Sequence, residues 1–280
     1  MAQRYVRVQT NQGHLHYGIL NLDRCVQVLD APPWLRGQPT ELLLSADEYH
    51  LMAPCAPSKI VAVGKNYRKH AAEMDSVVPS EPLLFIKPST TLTATQSIIL
   101  YPFQSSRVDY EGELALIIGD RCADCSPEEA QSKIWGYTIA NDVTARDLQR
   151  QDSQWTRAKG FDTFCPLGPW IVRELPVGAQ IETHLNEDEK PVQSACTEDM
   201  VFPPDILVAY ISQIMTLLPG DVVLTGTPEG VGPLHVGDRV RVTIEGIGSL
   251  ENQIEPRPRP EAINRNRSIK KDLNEISGPD

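Results

Sequence analysis

The sequence predicts a β-rich fold of many short strands and few helices. Short apolar runs bounded by glycine, proline or acidic turns recur along the chain, as at 59–64, 82–87, 114–118 and 135–140. Residues 4–30 alternate apolar and polar side chains, the pattern of half-buried antiparallel strands. One segment, 203–218, sustains helical spacing: Ile206, Leu207, Tyr210, Ile211, Ile214 and Leu217 form the stripe, and Asp205 favours the first turn.

Composition narrows the class. The 280 residues are 41% apolar and 22% charged, ordinary for a globular chain with a sizeable core. A net charge of −11 argues against nucleic acid or an anionic membrane as partner, although a bound metal would still admit an anionic small substrate. Six cysteines are too sparse for a disulfide scaffold, and the single Cys122-x-x-Cys125 pair lacks a second pair to complete a zinc site. Reduced thiols and a cytoplasmic location are expected. The N-terminus lacks the apolar core of a signal peptide, and the uncharged run 206–218 is too short to cross a bilayer, which predicts a soluble protein.

Taken in order, residues 1–57 read as a small β-rich domain. Its strands are closed by Pro32-Pro33-Trp34, a short helix is expected within 40–51, and Ala53-Pro54-Cys55-Ala56-Pro57 has linker chemistry. The strand at 59–64 opens the main domain, 58–256. A short helix or lid follows over 66–74, then the strand at 82–87, a loop over 90–96 and a strand near 98–100. Asp142 stands at the end of the 135–140 strand, with a helix starting just beyond. After a polar loop at 150–156, Pro166-Leu167-Gly168-Pro169 predicts a rigid turn, and 170–172, 180–185, 222–224, 239–245 and 248–254 predict strands. The last residues, 257–280, are charged and proline-bearing with little periodicity, and predict a flexible tail.

The chemistry concentrates at Glu111, Glu113 and Asp142. Side chains two apart on a strand share a face, so Glu111 and Glu113 project together, with Cβ atoms roughly 7 Å apart. With Asp142 they make an all-oxygen set suited to Mg²⁺, Mn²⁺ or Ca²⁺ rather than Zn²⁺; a solvated strand edge with a loop aspartate gives the same pattern. His70 and Glu73, three apart, share a helical face, where a carboxylate can orient an imidazole for proton transfer; a surface helix carries such pairs too. Arg146 and Gln149 lie on one face of the helix after Asp142. The glycine-rich turn 225–232 lacks the Gly-Lys-Ser/Thr ending of a nucleotide cradle, but its N–H groups and threonine hydroxyls suit a carboxylate.

Together these motifs resemble the fumarylacetoacetate hydrolase family. The matching pieces are Gly64-x-Asn66-Tyr67-x-x-His70-x-x-Glu73, Asp109-Tyr110-Glu111-x-Glu113, Asn141-Asp142-Val143-Thr144-Ala145-Arg146-Asp147-x-Gln149, Lys159-Gly160-Phe161-Asp162-Thr163, and Pro219-Gly220-Asp221 leading to Thr225-Gly226-Thr227-Pro228-x-Gly230-Val231-Gly232. Five motifs in order are specific where any one is weak. The resemblance implies an α+β fold with a mixed β-roll or sandwich core, usually a homodimer. It implies Mg²⁺ (or Mn²⁺, Ca²⁺ less so) on Glu111, Glu113 and Asp142. Catalytic roles would fall to His70, Glu73 and Lys159, and substrate binding to Arg146, Gln149 and Thr227. The substrates implied are short 2-oxo acids and 1,3-dicarbonyls, through acylpyruvate hydrolysis or oxaloacetate decarboxylation. Alternatives are an oxaloacetate tautomerase, a 2-hydroxymuconate-type isomerase, or a silent 2-oxo-acid-binding regulator.

Overall fold

In the computed structural model, residues 2–259 are described. The fold is α+β, dominated by sheet, as the sequence predicts. A 12-stranded mixed sheet runs in the order Pro39–Leu44, Val26–Leu29, Leu15–Leu20, Arg4–Thr10, Cys165–Val172, Ile134–Asn141, Gly112–Ile118, Val222–Leu224, Ile60–Gly64 and Leu83–Lys87, with two strands paired off this path. A five-stranded sheet stacks on it, in the order Gln193–Cys196, Gln180–Leu185, Arg239–Ile244, Gly248–Pro256 and Ile98–Tyr101. A small sheet of Thr144–Ala145, Val108–Tyr110 and Gly232–Leu234 closes one end.

Strand Gly112–Ile118 is buried throughout and apolar from Leu114 on, because both of its faces are covered. Leu114, Leu116 and Ile118 meet Ile181, Val242, Ile244 and Leu250 of the five-stranded sheet and helix Pro204–Ile214. Ala115 and Ile117 face the other way, among Ile60, Ala62, Leu167, Leu224 and Trp34. The N-terminal strands join the same sheet, with Tyr5 opposite Ile171, and edge-on contacts link Tyr17, Trp34, Trp135 and Tyr5 across the seam.

Asp221 ties the linker to the core. Fully buried, it accepts from the Ser58 N–H and Oγ, the Lys59 N–H, the Lys59 ammonium and the Leu218 N–H. Asp221→Ala would strip all of these donors at once, so a loss of about 3–5 kcal/mol is expected, measured by urea titration. A loss below 1 kcal/mol would show that the clamp is redundant.

Several local expectations differ from the structure. The helix expected within 40–51 is two strands, Pro39–Leu44 and Tyr49–Met52, because Leu43 and Leu44 pair with Gln27 and Val26 and a Ser45–Glu48 turn reverses the chain. The turn expected at Pro166–Pro169 lies inside strand Cys165–Val172, where a register irregularity opposite Tyr137–Ile139 accommodates the prolines. The long helix is Pro204–Ile214, stopping short of Leu218. An unforeseen helix, Pro127–Lys133, follows the Cys122–Cys125 turn, with Ser126 and Glu129 forming a reciprocal capping box. The predicted tail begins with Arg257, which donates to Asp162 at 2.9 Å; residues 260–280 lie outside those described.

Candidate active site

The site forms where the small end sheet hands the chain to the large one. Strand Val108–Tyr110 ends, Glu111 makes the crossing, and Gly112–Ile118 begins. The Glu111 N–H donates to Asn141 Oδ1 at 2.9 Å, and the Asp142 N–H donates to the Glu111 carbonyl at 2.8 Å. Those two bonds hold the ends of neighbouring strands together and set the three carboxylates in one place. Glu111, Glu113 and Asp142 are buried and offer oxygens within 4.8 Å of one another.

Each carboxylate has a different counterpart. Glu111 binds the Arg146 guanidinium through Oε1 and Lys159 Nζ through Oε2 at 2.8 Å. Asp142 binds Lys87 through Oδ1 and Lys159 through Oδ2, both at 2.6 Å. Glu113 accepts one N–H, from Gly226 at 2.7 Å. Burial works to raise the Glu111 carboxyl, but the charges of Lys159 and Arg146 outweigh it and hold Glu111 well below the usual carboxylate range. Glu113 goes the other way: burial, then the charges of Asp142 and Glu111, push it well up. Lys159 is raised because Asp142 and Glu111 overcome its desolvation. The fit to a hard divalent cation follows from this donor set. The oxygens are convergent, and Glu113 has two anionic neighbours and no cationic side chain of its own.

Around this floor lies a cavity of about 180 Å³, walled by Val63, Gly64, Lys65, His70, Met74, Phe85, Gln149, Trp155 and Thr227 besides the charged groups. Every residue singled out for a role in the sequence lines it except Glu73, which touches His70 from behind. His70 Nδ1 lies 3.2 Å from Glu73 Oε2, and the Gly230 N–H donates to Oε1 of Glu73 at 3.0 Å. With Nδ1 donating to the carboxylate, the Nε2 lone pair is free for a proton. Each guanidinium nitrogen of Arg146 makes one bond, to Asp109 at 2.9 Å, to Glu111 and to Gln149 Oε1 at 2.7 Å, so it orients Gln149 with its amide N–H₂ left to donate. Thr227 Oγ1 donates to the Gly112 carbonyl and accepts from Gln193 Nε2, both at 2.9 Å.

Sequence reasoning assigned no role to several of these groups. Lys87, wholly buried, has its partner 55 residues away, and only its place at a strand end hinted at it. Gln193 bridges Gly112, Thr183, Thr227 and Pro228 from a strand with no apolar pattern. Lys65 holds a left-handed backbone, φ 60°, at the cavity wall. Asn66 lay within a motif, and its side chain bonds Phe202 N, Phe202 O and Thr225 O, pinning the glycine-rich turn.

Gly226 shows why that turn needs glycine. Its φ is +94°, and a Cβ there would meet Asn66 Cβ at 2.8 Å and the Val63 carbonyl at 3.1 Å. Gly226→Ala is expected to cost about 1–3 kcal/mol and to weaken metal affinity, because the N–H that holds Glu113 moves with the turn. Thermal melts and calorimetry check both, and an unchanged affinity would show that Glu113 is held otherwise.

Residues 59–255 match the family model described as fumarylacetoacetate (FAA) hydrolase, C-terminal, and residues 3–54 match one described as Rv2993c-like, N-terminal. The chain is 49% identical over 217 residues to protein Rv2993c of Mycobacterium tuberculosis, covering 76% of this chain and 81% of that one. It is 40% identical over 240 residues to the oxaloacetate tautomerase YisK of Bacillus subtilis, 79% of each chain. A solved 5-carboxymethyl-2-hydroxymuconate delta-isomerase of Mycobacterium smegmatis is 41% identical, with a TM-score of 0.84 over 91% of this chain and 100% of that one. The fumarylpyruvate hydrolase of Pseudomonas aeruginosa, solved with Mn²⁺ and pyruvate, is 32% identical, with a TM-score of 0.68 over 74% of this chain and 100% of that one.

Proposed function

Because the chain belongs to the fumarylacetoacetate hydrolase family, we propose that it is a divalent-metal-dependent enzyme of short 2-oxo acids. Its reaction on this reading is hydrolysis of the carbon–carbon bond of acylpyruvates, decarboxylation of oxaloacetate, or both. One observation carries the proposal: the three buried carboxylates, Lys159 and the Glu73-backed His70 converge on one small cavity. The cation, Mg²⁺ or Mn²⁺ on Glu111, Glu113 and Asp142, would supply Lewis-acid stabilisation of charge developing on the substrate's keto oxygen.

The protein's own groups do the rest. Gln149 donates its amide to the substrate carboxylate, with its carbonyl oxygen already held by Arg146. Lys159 adds a second positive charge opposite the developing enolate oxygen. His70, with Nε2 free and Nδ1 anchored by Glu73, takes a proton from water for hydrolysis. Lys65 stands at the wall where a second substrate carboxylate can reach it. Val63, Phe85, Met74 and Trp155 supply apolar surface for an acyl chain. The hydrolase solved with Mn²⁺ and pyruvate supports both the metal and the 2-oxo-acid class.

A second reading, oxaloacetate tautomerisation, is favoured by the 40% identity to a tautomerase across 79% of both chains. The same His70 would then carry a proton between carbon and oxygen, with no carbon–carbon bond broken. The proposal also takes the chain as a cytoplasmic homodimer divided at residue 57; among the described residues no helix is long and apolar enough to cross a membrane. Purified protein given acetylpyruvate and oxaloacetate with Mn²⁺ should release pyruvate or speed keto–enol exchange. Oxalate binding without turnover of either would identify a silent binding protein.

A further inference from the structure

Two of the proposed metal ligands share their oxygens between two cations in the same way. Glu111 gives Oε1 to Arg146 and Oε2 to Lys159, and Asp142 gives Oδ1 to Lys87 and Oδ2 to Lys159. Arg146 and Lys87 are held by other groups as well: Arg146 by Asp109 and Gln149, Lys87 by the Val143 carbonyl at 3.3 Å. Lys87 is fully buried and does not line the cavity. Lys159 does line it, at the end of the four-residue helix Thr156–Lys159, and beyond the two carboxylates its ammonium faces the Phe85 ring, 4.9 Å away.

Lys159 is the one cation that both ligands share, so the oxygens it holds, Glu111 Oε2 at 2.8 Å and Asp142 Oδ2 at 2.6 Å, already converge on a single positive centre, as the ligands of a shared cation must. An ammonium seated between those two oxygens occupies the place a shared cation would take, and the two positive charges repel. Moreover, once all three carboxylates are ionised, as a bound cation requires, they are matched in number by three cationic side chains, Lys87, Arg146 and Lys159, with Arg107 covering Asp109. A divalent ion added to that balanced set leaves two positive charges in excess, which a dicarboxylic 2-oxo acid would neutralise.

We propose that Lys159 is the site's resident counter-ion, which a divalent cation displaces from Glu111 and Asp142 into the cavity, where the ammonium then faces the substrate. Lys87 and Arg146 keep their oxygens throughout and hold the two ligands in place. The lysine thus links metal loading to substrate recognition: its charge is committed to the carboxylates until the cation takes them over, and substrate binding follows metal binding. This inference rests on the metal-site reading given above.

The test uses the full-length protein and Mn²⁺ alone. Lys159→Met, and Lys159→Gln should the first fold poorly, are titrated with Mn²⁺ by calorimetry beside wild type. Removal of the competing ammonium is expected to tighten Mn²⁺ binding by about tenfold or more. The metal-free variant should melt below wild type, and Mn²⁺ should raise its melting temperature by more than it raises that of wild type. Crystals of wild type grown with Mn²⁺ should show Nζ moved off both carboxylates. Equal or weaker affinity in the variants, or Nζ still bridging Glu111 and Asp142 beside bound Mn²⁺, would overturn the role given to Lys159. Absence of Mn²⁺ binding in every protein would overturn the metal site itself.

Discussion

Glu113→Gln is expected to abolish Mg²⁺ and Mn²⁺ binding and all activity while leaving the metal-free protein at least as stable as wild type. Glu111→Ala and Asp142→Ala should abolish both properties as well, but at a cost to the fold. The difference lies in what each carboxylate touches. Removing Glu111 breaks the buried pairs to Arg146, which keeps Asp109, and to Lys159, which keeps Asp142; removing Asp142 breaks the pair to Lys159 and leaves buried Lys87 with no carboxylate partner. Breaking such buried pairs costs about 3–5 kcal/mol. Glu113 pairs with no cationic side chain, sits between two anions and gains only the Gly226 N–H, so an amide there relieves repulsion. Calorimetry and urea titration on the three variants separate these effects. Undiminished metal affinity in any of them would end the assignment of the site, and an unfolded Glu113→Gln would contradict the charge accounting.

His70→Ala is expected to remove acylpyruvate hydrolysis by about 10²–10⁴-fold while sparing most oxaloacetate decarboxylation. Decarboxylation needs an electron sink and no activated water, and Lys159 and the metal ligands are untouched by the change. Hydrolysis needs a proton taken from water, and the imidazole, oriented by Glu73 and through it by Gly230, is the group placed for it. Following enol absorbance and pyruvate release separately distinguishes the outcomes. Equal loss of both reactions would mean that His70 holds the substrate. Loss of enol–keto exchange with no pyruvate formed by wild type would establish the tautomerase reading.

Much of this arrangement was legible in sequence because it is local. The two-residue period of a strand puts Glu111 beside Glu113, and the three-residue spacing on a helix puts His70 beside Glu73. The apolar runs at 60–64, 114–118 and 222–224 announced buried strands because neighbours cover both of their faces. What stayed hidden depends on distant partners. Nothing near Lys87 says that Asp142 will meet it, and nothing near Gln193 announces Thr227. The helix expected at 40–51 and the turn expected at 166–169 failed for a related reason, since cross-strand pairing overrode local preference. Ser126-x-x-Glu129 is the exception, a local signal that was there to be read.

The position of Val222–Leu224 has a consequence for how the protein comes to exist. This three-residue strand lies between Gly112–Ile118 and Ile60–Gly64, antiparallel to one and parallel to the other. Strands 162 residues apart in sequence, Val222 opposite Ile60, thus become neighbours, and the loop that follows brings Gly226 to Glu113. During synthesis the carboxylates at 111, 113 and 142 emerge well before the segment that sets them. Closing so long a loop ahead of any reward places folding on the slow side, in the range of milliseconds to seconds or longer. A nascent chain halted before residue 222 should bind no Mn²⁺ and expose the unpaired edge of strand Gly112–Ile118, an apolar template for pairing with other chains. On the metal-site reading, competence to bind the cation is expected late and all at once, when a strand of three residues slots into the middle of the sheet.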